Sequence, residues 1–293
     1  MRPALFRRLA AAGFAAPMVM GLLAWLLFLP AAAQAASDAE LQPLGRDSPL
    51  AGRLGAIGMV LVGEMERLRA LGTGFLVTPC HLLTAAHVLA RGDFPARVNM
   101  PVRFVPSSGE RAFALNRDQV YGRVVALDDA YRAGSPGSMV DPANVARDWA
   151  LIELERPVAG VEPFKMLYPG ADLAPDAHLH AVGYASSPAM TYLYAHENCR
   201  LRESSRGHAF AGRMLIADCA VRPGMSGGPL LYEVAGGQLL TAGIVVERIQ
   251  TGDRVLAVAI PVAAFSQHIA AAMRSSNVCP AGQPYAVPAA RHD

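Results

Sequence analysis

The sequence predicts an all-β protein made of two antiparallel six-stranded β-barrels with a C-terminal α-helix. Three observations carry that prediction. Short β-like runs recur along the chain with turn residues between them. They fall into two series of six, separated by a connecting segment. A helical pattern appears once, near the end, where Phe265, Ile269 and Met273 recur at 3.6-type spacing.

The elements follow in order. The first series comprises residues 56–62, 74–77, 81–85, 96–105, 119–126 and 149–154, and a Pro-Gly-Ser interval around 133–144 reads as a long surface loop. The second comprises residues 178–184, 192–203, 213–221, 229–234, 239–248 and 254–260. This divides the chain into a first barrel over 55–160, a second over 161–261, a terminal helix within 262–279 and a Pro-rich tail over 280–293. No sequence repeat relates the two halves.

The N-terminus reads as a targeting segment. Arg2, Arg7 and Arg8 precede an uncharged apolar run over 9–29, and Ala33-Gln34-Ala35 offers a cleavage site, so residues 1–36 are expected to be a signal peptide. A run of that length can also span a bilayer, and an uncleaved segment would anchor the protein by residues 9–29. Residues 37–54, polar and rich in Pro, Gly and Asp, form a mature N-terminal arm. The expected location is secreted or periplasmic. Removing the signal leaves about 255 residues, which suits two small barrels.

Composition narrows the function. The chain has 293 residues, 53% of them hydrophobic, and a formal net charge of +2. That near-neutral balance gives no nucleic-acid footprint. Its four cysteines, Cys80, Cys199, Cys219 and Cys279, match no zinc spacing and agree with an oxidising compartment. Cys199 and Cys219 sit in β-like segments separated by one hairpin, so they are the expected disulfide; Cys80 and Cys279 are then either paired or free. The histidines show no metal-ligand spacing, and neither a metal nor an organic cofactor is expected.

Three stretches carry chemistry. Leu83-Thr84-Ala85-Ala86-His87 is a β-run ending in small residues and a histidine. Asp148-Trp149-Ala150-Leu151-Ile152 sets an aspartate at the mouth of an apolar strand. Gly224-Met225-Ser226-Gly227-Gly228-Pro229 surrounds one serine with turn residues. Singly, each has an ordinary reading as a strand end or turn, and Asp128, Asp129 and Asp141 compete with Asp148. Together, in the order His, Asp, Ser, they resemble the trypsin-like serine endopeptidases of the chymotrypsin fold, in the style of the exported bacterial branch that includes glutamyl endopeptidases. The likeness covers most of residues 55–275.

That resemblance implies roles. Ser226 would be the nucleophile, His87 its general base and Asp148 the group that fixes the His87 tautomer. The backbone N–H groups of Gly224 and Ser226 would receive the oxyanion, and Gly224 suits a turn that a Cβ would oppose. A polypeptide substrate and a monomeric enzyme are expected, without nucleic acid, and with a membrane only if the N-terminal segment stays uncleaved. Met225 departs from the digestive branch, where an aspartate receives a freed N-terminal ammonium, so activation by that salt bridge is not expected. The substrate pocket falls to Ala220, Val221, Val245, Val246 and Arg248, with Arg222, Pro223 and Glu247 beside them. Relatives that cut after glutamate carry hydroxyl and imidazole groups where Val221 and Val245 align, so an apolar P1 side chain is expected instead.

Two other readings compete. Gly224-Met-Ser226-Gly-Gly228 also fits the G-x-S-x-G elbow of esterases, with Asp253 and His268 following in the order of that fold. A barrel scaffold retained only for binding is the other.

Overall fold

The computed structural model describes residues 41–44, 48, 50–63, 69–90, 95–107, 119–132, 141–174, 177–186, 192–202, 214–252, 254–278 and 284–286. The expected signal segment, Cys279 and nearly all of the tail lie outside them. Among the described residues, no helix is long and apolar enough to cross a membrane.

Strand β1 (Gln42–Pro43) lies in the arm. The first half then contributes β2 (Ile57–Val62), β3 (Arg69–Thr78), β4 (His81–Thr84), the single-turn helix α1 (Ala86–Leu89), β5 (Pro101–Pro106), β6 (Val120–Leu127), the single-turn helix α2 (Pro142–Val145) and β7 (Ala150–Leu154). Antiparallel pairing in the order β2-β3-β4-β7-β6-β5, with β5 returning to β2, closes a six-stranded barrel. Closure leaves no edge strand. Its strands carry fully buried side chains such as Ile57, Met59, Phe75, Leu83, Phe104 and Leu151.

The second half contributes β8 (Lys165–Leu167), β9 (His178–Tyr184), β10 (Leu193–Arg200), β11 (Leu215–Ala217), β12 (Pro229–Glu233), β13 (Leu239–Thr251), β14 (Arg254–Pro261), the terminal helix α3 (Ser266–Arg274) and β15 (Tyr285–Ala286). Here the pairing differs from the expected six strands. The described residues form a nine-stranded sheet with the path β1-β10-β9-β12-β13-β14-β11, and β8 and β15 attach in parallel beside β13. The three extra strands are two or three residues long, too short to register as a pattern in sequence. The arm is one of them: β1 pairs with β10, and Leu41, Leu50 and Leu54 are buried.

The ends of this sheet approach each other. Leu201 bridges Ala217, the Arg202 N–H donates to the Ile216 carbonyl at 2.9 Å, and the Asp218 N–H donates to the Arg200 carbonyl at 3.0 Å. The expected Cys199–Cys219 disulfide is present beside that contact. Cys80 is also disulfide-bonded. Helix α3 folds back onto the first half, where the Phe265 ring packs against Trp149 at 5.9 Å between centroids, and Ile269 and Met273 are buried.

The Cys199–Cys219 link joins positions 20 residues apart. Replacing both by alanine should lower the unfolding free energy by about 3 kcal/mol in a denaturant titration. An unchanged midpoint would show that the bridge leaves the unfolded chain effectively unconstrained.

Candidate active site

His87 is delivered by a change of backbone. After β4, Ala85 stays extended and the chain winds into α1, so His87 lies on the first turn of a helix and not at a strand end. Small residues at 85 and 86 allow this, since both are fully buried against the core. Asp148 follows the turn after α2 and is fully buried. Its Oδ1 accepts the His87 backbone N–H at 2.8 Å, and its Oδ2 lies 2.6 Å from His87 Nδ1. A buried carboxylate is costly without such partners. The short contact places a proton on Nδ1 and leaves Nε2 as the acceptor. The exposed 28% of the His87 side chain is therefore available to a substrate.

The other aspartates have separate tasks. Asp141 caps α2 by accepting the Ala143 N–H, and Asp128 accepts the Ala130 N–H and pairs with Arg147 at 3.7 Å. Burial alone would push the His87 imidazole down. The Asp148 charge and hydrogen bond, aided by Glu247, outweigh it and raise His87 above its ordinary value.

The serine loop is a turn pinned at several points. The Met225 N–H donates to the Arg222 carbonyl at 3.1 Å, with Pro223 and Gly224 as the central residues and Gly224 at φ +95°. Those are the features of a type II turn, which requires positive φ at its third position. The Ser186 N–H holds the Pro223 carbonyl at 2.7 Å. Because a trans peptide sets its C=O and N–H on opposite sides, the Gly224 N–H points away from Ser186. Neither the Gly224 nor the Ser226 N–H has an acceptor among the described residues. Gly227, at φ +84°, admits no side chain: a Cβ there would lie 2.1 Å from the Thr73 carbonyl. Met225 is buried, and its sulfur accepts the Arg222 N–H at 3.4 Å, so this position packs where other branches make an ion pair.

His87 and Ser226 line one cavity of about 350 Å³. Among the described residues no hydrogen bond joins the Ser226 hydroxyl to the His87 ring; such contacts often tighten only around substrate. Val221, Val245 and Val246 supply apolar wall, and Arg222, Glu247 and Arg248 carry the charges. The Arg222 guanidinium lies over the Tyr194 ring, 5.6 Å from its centroid. Ala220 was expected in the pocket and does not line the cavity. It is buried beside the disulfide, and its N–H donates to His196 Nδ1 at 2.6 Å. His196 is thus structural.

Two contributors were not foreseen. Tyr131 lines the cavity with a buried hydroxyl that closes no hydrogen bond of ordinary geometry. Burial first, then the neighbouring Asp148, raise its phenol above the ordinary range. Thr73 is fully buried on β3, where its N–H donates to the Ser226 carbonyl at 2.9 Å. The only signal for Thr73 in the sequence is a polar residue between two glycines of an apolar strand.

The esterase reading fails on local structure, because an elbow requires a strand, a turn and then a helix. Ser226 instead leads through Pro229 into β12, and the His268 ring packs on Trp149 at 5.6 Å. Asp253 lies outside the described residues.

Comparison with known proteins agrees with this geometry. The family model of the trypsin-like peptidase domain matches residues 72–244, which include His87, Asp148 and Ser226. The crystal structure of the serine endoprotease from Yersinia pestis aligns with a TM-score of 0.51 and 16% identity, covering 80% of this chain and 68% of that one. At that identity the likeness is one of fold, an all-β chymotrypsin-like fold. No curated protein sequence matches the chain. With the family model covering more than half of its length, the chain belongs to the trypsin-like peptidase family and is a serine protease.

Proposed function

We propose that this protease is an exported endopeptidase that cleaves peptide bonds through Ser226, His87 and Asp148 by way of an acyl-enzyme. The observation that carries the reading is the pairing of a tautomer-fixed histidine with two N–H groups on the serine turn that have no acceptor among the described residues. His87 Nε2 takes the Ser226 proton as Oγ attacks the scissile carbonyl. Asp148 stabilises the imidazolium that forms without accepting a proton itself. The tetrahedral oxyanion is received by the Gly224 and Ser226 N–H groups, each such donor being worth about 2.7–4 kcal/mol of barrier. The intermediate collapses, His87 protonates the leaving amine, and water repeats the sequence on the acyl-enzyme with His87 again as base.

The curled second sheet is read as the second barrel of the fold, held at its seam by the Leu201–Ala217 bridge. The apolar wall made by Val221, Val245 and Val246 supports an apolar P1 side chain. It also argues against a glutamate-cleaving member of the exported branch. Export, to the cell exterior or periplasm, rests on residues 1–36, with residues 9–29 as a membrane anchor if they are retained, and the mature enzyme is taken as a monomer.

A fluorophosphonate probe tests the chemistry. The purified mature protein should be labelled and should hydrolyse amide substrates with apolar P1 residues, and Ser226→Ala should abolish both. Ester turnover without amide turnover would contradict the endopeptidase reading, and a folded protein that resists labelling would contradict catalysis altogether. The pH profile supplies a second check. His87 must be neutral to act as base, and its pKa lies above 6.5. The acid limb of kcat/KM should therefore be centred above pH 6.5, with activity lost as pH falls through it. A limb centred lower would mean that another group titrates.

A further inference from the structure

Thr73 is a fully buried polar residue whose backbone and side chain point mainly at the second half of the molecule. Its hydroxyl donates to the Gly224 carbonyl at 2.8 Å and accepts the Tyr184 N–H at 2.9 Å. Its N–H donates to the Ser226 carbonyl at 2.9 Å. Its own carbonyl accepts the Thr84 hydroxyl at 2.7 Å, three residues before His87. The surrounding backbone is shaped to admit it, since a Cβ at Gly183 would lie 3.0 Å from its hydroxyl oxygen.

Gly224 sits between two peptides, and each is held from outside the turn. Ser186 fixes the preceding one through the Pro223 carbonyl, and Thr73 fixes the following one through the Gly224 carbonyl. The φ of +95° between them is thereby set from both sides. We propose that Thr73 is a positioning residue of the catalytic centre, its hydroxyl fixing the direction in which the Gly224 N–H meets the developing oxyanion. A hydroxyl offers one proton and two acceptor sites, so it satisfies a buried carbonyl and a buried N–H at once. Without it both groups are unpaired, and the peptide after Gly224 loses one of its restraints. The interaction is made by no substrate atom. It acts on the rate of the chemical step and leaves the apolar pocket, and hence binding, alone.

The inference rests on the proposed catalytic role of Ser226, and its test separates the two. Thr73→Ala and Thr73→Ser both delete the methyl group and differ only in the hydroxyl. In the mature protein, Thr73→Ala should lower kcat on the order of 10²-fold, the scale of a misplaced catalytic group. KM should change little, phosphonate labelling should slow in parallel, and Thr73→Ser should restore both. Equal kcat in Thr73→Ala and the parent would overturn the proposal, and so would a serine variant as impaired as the alanine one. Failure of Thr73→Ala to fold where Thr73→Ser folds would also overturn it, by making the hydroxyl a folding element. A parent protein inert to the probe would instead remove the catalytic reading on which it stands.

Discussion

The proposed catalytic arrangement depends on one seam, where β3 of the closed barrel meets the serine turn of the second sheet. His87 and Asp148 belong to the first half and Ser226 to the second, so neither half alone would hold the proposed triad. Their register is set where the Thr73 N–H meets the Ser226 carbonyl and where the Thr84 hydroxyl, on the strand leading to His87, meets the Thr73 carbonyl. These bonds lie in the buried interior, where a satisfied polar network is rigid and an unsatisfied one is costly. Gly227 is part of the same constraint, because any side chain there would collide with the Thr73 carbonyl.

The electrostatics follow from burial on one side of the seam and openness on the other. Asp148 has no exposed surface, and two donors of His87 meet its two oxygens, which orients the His87 ring. The serine turn carries no buried ion pair among its described contacts. Met225 fills its position with a thioether, and the turn is held by Pro223, by Ser186 and by Thr73. The loop geometry therefore follows from turn chemistry at Pro223 and Gly224 together with restraints from Ser186 and Thr73.

Much of this was legible in the sequence because it is local. The run over His178–Tyr184 and the six strands of the closed barrel are set by hydrophobic patterning and turn residues. His87, Asp148 and Ser226 stand in motifs whose glycines and alanines have steric reasons. Where local pattern misleads, a specific residue is responsible. The run over 96–105 becomes the shorter β5 because Asn99 takes φ +65° and turns the chain. Of the run over 213–221, the described residues form only β11, and just beyond it the Asp218 side chain accepts the Arg200 N–H at 2.6 Å. Thr73 and Tyr131 were invisible for another reason: their partners are distant in sequence, and a single threonine or tyrosine looks the same in a strand or loop whether or not it faces a catalytic group. Ala220 failed as a pocket residue on the same ground, its surroundings being set by His196 and the disulfide.

The most direct measurement is a crystal structure of the mature protein after reaction with a fluorophosphonate. The phosphorus should be bonded to Ser226 Oγ, with the phosphoryl oxygen about 2.7–3.1 Å from both the Gly224 and Ser226 nitrogens. The Thr73 hydroxyl should still hold the Gly224 carbonyl. An adduct whose phosphoryl oxygen turns away from those nitrogens, or a Pro223–Gly224 peptide flipped to present its carbonyl to the oxygen, would contradict the account.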